Sequence, residues 1–231
     1  MPITKEKKQI LFSITHPYFI KNGYKYLSDL PGNYRKVKLN MVIEMLFDFK
    51  NQSDDHVNTL ILIHFKEVEK IILEIGLPNY NLSSYYLGEV FFPTILDNLN
   101  NVTFYQKKSR LDLSKVLGFK KWGELIVSYM ENEGQDFIEE YSYLPNVLKE
   151  MNRLEREGEQ NYLKILRGGI DHIFRGLIIS RLCNDSDYER KLKKWEPLIL
   201  MPKYEEWHSS FEKLKKLLSE TKPIYNISKL E

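Results

Sequence analysis

Hydrophobic and polar residues alternate most regularly between residues 41 and 75, and this pattern predicts a β-hairpin followed by a helix. Two apolar runs flank a polar, turn-forming cluster at residues 51–55. When the residues on either side of that cluster are paired, one face carries Met41, Ile43, Met45, Phe47, Phe49, Val57, Thr59, Ile61, Ile63 and Phe65. We expect this face to lie in the core, because a register shifted by one residue would bury Glu44 and Asp48.

Helices are predicted on both sides of the hairpin. The residues that follow it have an apolar side chain at every third or fourth position up to Gly76, which ends the helix. These side chains are Val68, Ile71, Ile72 and Ile75. Upstream, residues 4–15 predict a helix that Pro17 ends near His16, because proline cannot continue the hydrogen-bond ladder of a helix.

Short strands complete the predicted sheet. Residues 24–28 and 34–39 are predicted to be strands, joined by a turn at residues 29–33 in which proline and glycine set the two central backbone angles. Residues 102–106 predict a further strand. The antiparallel sheet would then contain between three and five strands.

Beyond residue 110 the apolar period becomes that of helices. One helix is predicted to begin at Pro145 and to end at Gly158, a second covers residues 162–182, and a third begins near Pro202. These elements predict an α+β protein, with an N-terminal antiparallel sheet covered by helices and a helical C-terminal half.

The length of 231 residues is sufficient for one domain that spans the whole chain. A division into a sheet-containing part, residues 1–110, and a mainly helical part, residues 111–231, is the alternative. The composition, with 42% hydrophobic and 29% charged residues, predicts a cytoplasmic protein without a membrane span. The abundance of Lys, Ile, Asn, Tyr and Phe is typical of an AT-rich bacterial genome. A single cysteine, Cys183, allows no internal disulfide. No cofactor is expected.

The charges are divided into blocks along the chain. Residues 122–150 carry seven acidic side chains and one basic one. Five of the acidic side chains are followed by two tyrosines, and together they form a candidate partner-binding patch of Glu131, Glu133, Asp136, Glu139, Glu140, Tyr141 and Tyr143. Such a patch can dock on a basic protein through complementary charge. The alternative interpretation is an ordinary acidic helix surface.

The preceding block, residues 107–121, is basic, with six basic side chains and one acidic one. A nucleic-acid site would use Lys107, Lys108, Arg110, Lys120 and Lys121 to hold phosphates. Tyr105, Phe119 and Trp122 lie among these residues and are candidates for stacking on bases. A solvated loop and helix face is the other interpretation.

Arg167 and His172 are separated by four residues, Gly-Gly-Ile-Asp. This spacing resembles the R-x(4 to 6)-H signature of HEPN-type ribonucleases, and the resemblance implies that the pair polarises a phosphate and moves a proton. On an uninterrupted helix the two side chains would point about 140° apart, so they converge only if the glycine pair breaks the helix. The alternative is that the glycines allow a close helix contact, while Arg167, Asp171 and Arg175 form a solvent-facing ladder of charges beside an exposed His172.

Asp48 and Lys50, with Asp29 upstream, resemble the acidic and lysine elements of PD-(D/E)xK nucleases, but no metal site is expected from their arrangement. Phosphate-binding glycine loops, nucleophile elbows, zinc-protease motifs and cysteine clusters are missing from the sequence. We therefore expect a non-enzymatic cytoplasmic protein-binding module, of the kind that includes immunity and antitoxin-type inhibitors of basic toxins. The alternative is a nucleic-acid-binding protein or a ribonuclease that uses Arg167 and His172.

Overall fold

The structure is a computed structural model that describes residues 3–28, 32–49, 58–78, 93–97, 102–158, 162 and 164–226. The strands in these ranges are β1 (Lys25–Leu27), β2 (Asn33–Val37), β3 (Met41–Asp48), β4 (Asn58–Phe65) and β5 (Ile95–Asp97). The helices are α1 (Lys5–Lys21), α2 (Lys66–Ile75), α3 (Val102–Ser109), α4 (Val116–Glu131), α5 (Glu133–Glu140), α6 (Leu144–Arg156), α7 (Asp171–Leu182), α8 (Tyr188–Ile199) and α9 (Glu205–Glu220). The predicted α+β class is confirmed, since an antiparallel sheet precedes a mainly helical half.

The strands form one sheet in sequential order, β1-β2-β3-β4-β5. In the antiparallel register, Tyr34 of β2 lies opposite Tyr26 and Met45. The predicted core face of the hairpin is buried wherever the structure describes its side chains, apart from Phe49, which is half-buried. The opposite face also buries Glu44, whose carboxylate accepts a hydrogen bond of 2.7 Å from Nε of its cross-strand neighbour Arg35. The tip of the hairpin, residues 50–57, lies outside the described residues.

The chain divides into two compact units. Unit 1 comprises Met1–Ile63 and Leu96–Glu140, and unit 2 comprises His64–Ile95 and Tyr141–Glu231. Unit 1 therefore contains most of the sheet with α1, α3, α4 and α5. Unit 2 contains α2 and the helices from α6 onward.

The core of unit 1 is aromatic, and it corrects the predicted end of the first helix. Helix α1 begins at the N-cap Thr4 as predicted but continues through Pro17 to Lys21. The extra turn carries Phe19, which is fully buried and stacks on Tyr34 at 4.6 Å between ring centroids. Burial of a large aromatic side chain outweighs the hydrogen bond that proline removes.

The predicted strand at residues 102–106 is wrong, because this segment belongs to helix α3. Its β-branched and aromatic residues favour a strand locally. The helix instead places Phe104 against Tyr129 of α4, with ring centroids 5.2 Å apart. Tertiary packing therefore overrides the local preference.

Unit 2 is built around α7, in which residues 171–180 are all buried. Helices α2, α6, α8 and α9 pack against it. The prediction of one helix over residues 162–182 is correct only for its second half, because Gly168 has a φ of +131° and α7 begins at Asp171. Helices α2, α6 and α9 were predicted and are confirmed, whereas α8 was not predicted. Its buried stripe contains Lys191 beside Tyr188, Trp195 and Ile199, and that charge hides the apolar period.

Candidate functional site

Five carboxylates form what we call the acidic surface of unit 1. They are Glu131 at the end of α4 and Glu133, Asp136, Glu139 and Glu140 on α5, and all five residues are exposed. The eight residues of α5 contain no lysine or arginine. The sequence-predicted acidic side chains thus share one short helix and the residue just before it.

Helix α5 is held in place by its other face. Gly134 and Ile138 are buried, and a side chain at position 134 would meet Met130 Sδ at 2.9 Å, closer than packed atoms approach. A side chain at position 134 would therefore have to displace Met130, so glycine favours the close packing of α5 on the end of α4. The residues of the acidic surface thus belong to packed helices rather than to a loop.

The electrostatics of the acidic surface differ between the two ends of α5. Glu139 and Glu140 lie in the last turn of α5, where the partial negative charge of the helix C-terminus disfavours carboxylates by roughly 0.3–1 kcal/mol each. Negative charge of this surface also acts on α1. Burial raises the pKa of Tyr18, and the charge of Glu131 raises it further. Glu133 and Asp136 lie in the first turn of α5, where carboxylates are favourable, so only part of the acidic surface opposes the helix dipole.

The two predicted tyrosines belong to unit 2. Tyr143 is 42% exposed and lies edge-on to Tyr225, with ring centroids 5.6 Å apart, whereas Tyr141 is half-buried. Tyr143 stands immediately before α6. It keeps one exposed face that a ligand or partner can contact.

The basic segment of unit 1 lies on α3, the following loop and the first half of α4. Lys107, Arg110, Lys120 and Lys121 are exposed, and Lys108 is half-buried with its Nζ 5.7 Å from the ring centroid of Trp122. Burial lowers the pKa of Lys108. Phe119 and Trp122 are fully buried, so the expectation that they stack on bases is wrong. Both aromatic side chains belong to the core of unit 1.

Arg167 and His172 occupy different surroundings in unit 2. Gly168 interrupts the helix, as convergence of the two side chains would require, and Arg167 is exposed. His172 is only 6% exposed, and its Nδ1 donates to the Gly169 carbonyl. Burial lowers the pKa of His172, so the ring is neutral at pH 7 and Nε2 is left as an unprotonated acceptor. That Nε2 has no hydrogen-bond partner among the residues that the structure describes.

The expected solvent-facing ladder around Arg167 is wrong, because Asp171 and Arg175 are 2% and 1% exposed. Arg175 forms a bidentate pair with Glu69 of α2: its Nε donates to Oε1 and its Nη2 donates to Oε2, both at 2.9 Å. Its Nη1 donates to Asp171 Oδ2 and, at 3.0 Å, to the Arg167 carbonyl. Burial alone would lower the pKa of Arg175, but the two carboxylates raise it. This buried network ties α2 to α7.

Sequence analysis missed Glu69, which is fully buried and also accepts a hydrogen bond of 2.7 Å from Thr94. Its burial could have been predicted from its position beside Val68 and Ile72 on the apolar face of α2. The nuclease-like residues Asp29 and Lys50, and the side chain of Asp48, lie outside the described part of the chain.

Two features are absent from the residues that the structure describes. No three His, Cys, Asp or Glu side chains are grouped closely enough there to hold a metal ion. No helix within those ranges is both long and apolar enough to cross a lipid bilayer.

Comparison with known proteins identifies no relative. No protein-family model matches the sequence, and no curated protein and no solved structure matches the chain. The resemblance of Arg167 and His172 to HEPN-type ribonucleases therefore rests on the spacing of these two residues.

Proposed function

We propose that this chain is a non-enzymatic cytoplasmic protein-binding module whose acidic surface docks on a basic protein. The more specific form of the proposal is an immunity or antitoxin-type inhibitor that covers the basic, nucleic-acid-binding site of a toxin. Tyr141 and Tyr143 are its predicted aromatic contacts.

One observation carries the proposal: five exposed carboxylates are concentrated on α5 and the residue before it, without a lysine or arginine in that helix. Two of them lie at the helix end where negative charge is disfavoured. A basic partner would remove this mutual repulsion and the conflict with the helix dipole. Complementary charge also raises the rate of association and disfavours acidic competitors.

The position of the carboxylates on a helix supports the same conclusion. Gly134 and Ile138 bury one face of α5, so the backbone that carries four of the carboxylates is packed, whereas their side chains are exposed. A preorganised surface loses less conformational entropy on binding than a mobile loop.

The test is quantitative capture of partners from the native host with a variant that carries Glu133→Gln, Asp136→Asn, Glu139→Gln and Glu140→Gln. The wild type should retain one basic protein in stoichiometric amount, identified by mass spectrometry. The variant should retain at least about tenfold less of it, because four charges facing the partner are lost.

The matched control neutralises Glu74, Glu189, Glu205 and Glu220, which are exposed, lie on helices of unit 2 and change the net charge equally. Like the test set, two of them lie in first turns of helices and two in last turns. This control should capture as much partner as the wild type. Equal retention by the acidic-surface variant would overturn the proposal.

A second candidate function, hydrolysis or binding of nucleic acid at Arg167 and His172, is favoured by the break in the helix at Gly168, without which the two side chains could not converge. The same eluates distinguish the two functions. Nucleic acid that elutes with the wild type in place of a basic protein, seen as a raised ratio of absorbance at 260 and 280 nm, supports the second candidate.

A further inference from the structure

Unit 2 contains a groove between α6 and the N-terminal end of α8, with a cavity volume of about 850 Å³. We call it the cationic groove. A volume of this size is typical of sites that hold a small organic molecule. One wall is a continuous stripe of α6 at helical spacing, formed by Pro145, Lys149, Asn152 and Arg156.

Two cations of the groove are free to meet a ligand. Lys149 and Arg156 are exposed, line the groove and form no ion pair with any residue that the structure describes. They are seven positions apart on α6, which places them on the same face about 10 Å apart along the helix axis. This separation suits a ligand with more than one anionic group.

Asn152 lies between these cations and is oriented from behind. Its Oδ1 accepts a hydrogen bond from Nζ of Lys191, which is fully buried and also pairs with Asp185. Because the carbonyl oxygen faces this buried ammonium group, the amide Nδ2 is the group that Asn152 offers to the groove. It adds a neutral hydrogen-bond donor between two positive charges.

The carboxylates that line the groove are already neutralised. Glu155 accepts hydrogen bonds of 3.1 Å from both terminal nitrogens of Arg190 and one of 2.6 Å from Lys194. Burial alone would raise the pKa of Glu155, but these two cations lower it to about 2. Asp187 also pairs with Arg190, at 2.9 Å. Three lining cations against two paired carboxylates leave an excess of positive charge.

The far end of the groove is aromatic and apolar, with Tyr143, Pro145 and Leu148. Tyr143 is 42% exposed and is held edge-on by Tyr225. It lies about 9 Å from Lys149 along the helix axis, six positions at 1.5 Å each. A planar group on Tyr143 and anionic groups at Lys149 and Arg156 would therefore belong to one extended ligand.

We propose that the cationic groove binds a nucleoside polyphosphate, with the base on Tyr143 and the phosphates between Lys149 and Arg156. Stacking on an aromatic ring tolerates every base, because every base has a π face. The phosphates would receive hydrogen bonds from a lysine, an arginine and an amide.

The test is titration of the 231-residue protein with ATP that carries a fluorescent N-methylanthraniloyl group, with inorganic pyrophosphate as the competitor. The double variant Lys149→Gln/Arg156→Gln should bind the labelled ATP at least tenfold more weakly than the wild type. Lys213→Gln/Lys216→Gln, which removes two exposed lysines of α9, should bind it like the wild type.

The variant Tyr143→Leu tests the contact with the base independently of the contacts with the phosphates. We expect this variant to bind the labelled ATP severalfold more weakly and to keep an unchanged affinity for pyrophosphate. The proposal is overturned if the wild type shows no saturable binding of the labelled ATP, or if the Lys149/Arg156 variant binds it equally. Equal affinities of wild type and Tyr143→Leu for the labelled ATP would overturn the nucleoside part.

Discussion

Arg175 and Lys191 are cations with 1% and 0% of their surface exposed, and each donates to several hydrogen-bond acceptors. Arg175 donates to Glu69, Asp171 and the Arg167 carbonyl. Lys191 donates to Asp185, Asn152 and Ser180. A buried charge is tolerated only when it is paired and fully hydrogen-bonded, so these partners form part of the core of unit 2.

Replacement of Arg175 tests this network. In Arg175→Leu, Glu69 and Asp171 would remain buried without their cation, and removal of one partner from a buried pair costs about 3–5 kcal/mol. We expect a loss of stability of that size in urea unfolding at pH 7. Arg153→Leu is the control, since its pairs with Glu150 and Glu157 lie at the surface and water replaces them. Equal unfolding midpoints for both variants would contradict the stabilising role of Arg175.

Cys183 gives a prediction that depends on pH. Burial raises the pKa of this thiol to about 12, from an ordinary value of 9.0. The folded state favours the neutral thiol, so its contribution to stability is present below pH 9 and is lost as the pH rises toward 12. We expect no reaction with Ellman's reagent at pH 8 in native buffer and complete reaction in urea. Rapid reaction of the native protein would show that Cys183 is accessible.

The glycine pair before α7 gives a prediction at the scale of elements. Gly168 has a φ of +131°, and a side chain there would collide with the carboxylate of Asp171, which the buried network holds. Gly168→Ala should cost about 1–3 kcal/mol, the usual cost of a strained backbone position. At Gly169 the nearest side-chain atom would lie 3.9 Å away, so Gly169→Ala should be tolerated. Thermal unfolding of both variants checks this, and equal melting temperatures would contradict it.

The elements that could be predicted from sequence are those whose own pattern decides their structure. The hairpin strands β3 and β4 alternate regularly, and α2, α6 and α9 have uninterrupted apolar stripes. The mistakes lie where contacts distant in sequence decide. Phe19 extends α1 past Pro17, and Phe104 favours a helix at α3, because each side chain meets a partner from another element.

The candidate sites also differ in whether they could be predicted from sequence. The acidic surface could be predicted because a run of carboxylates with no lysine or arginine among them in the sequence stays exposed in almost any fold. The cationic groove could not, because Arg190 reaches Glu155 over 35 residues and only the packing of α6 on α8 brings them together. The buried network was hidden for the same reason, since Glu69 and Arg175 are 106 residues apart.

At the scale of the whole molecule, charge is unevenly distributed although the net charge is only +2. Residues 122–150 carry seven acidic side chains against one basic, directly after a block with the opposite balance. Such segregation has little value for stability, since exposed charges contribute little to folding. It does direct the approach of a charged partner, and it suits a protein that acts by binding.

The most direct test of this account is the dissociation constant of the isolated complex, measured by calorimetry for the wild type, the acidic-surface variant and the control set at two salt concentrations. We predict that the acidic-surface variant binds at least about tenfold more weakly at low salt and loses most of the salt dependence that the wild type and the control share. An unchanged dissociation constant, with the same salt dependence, would contradict the proposal that the acidic surface binds the partner.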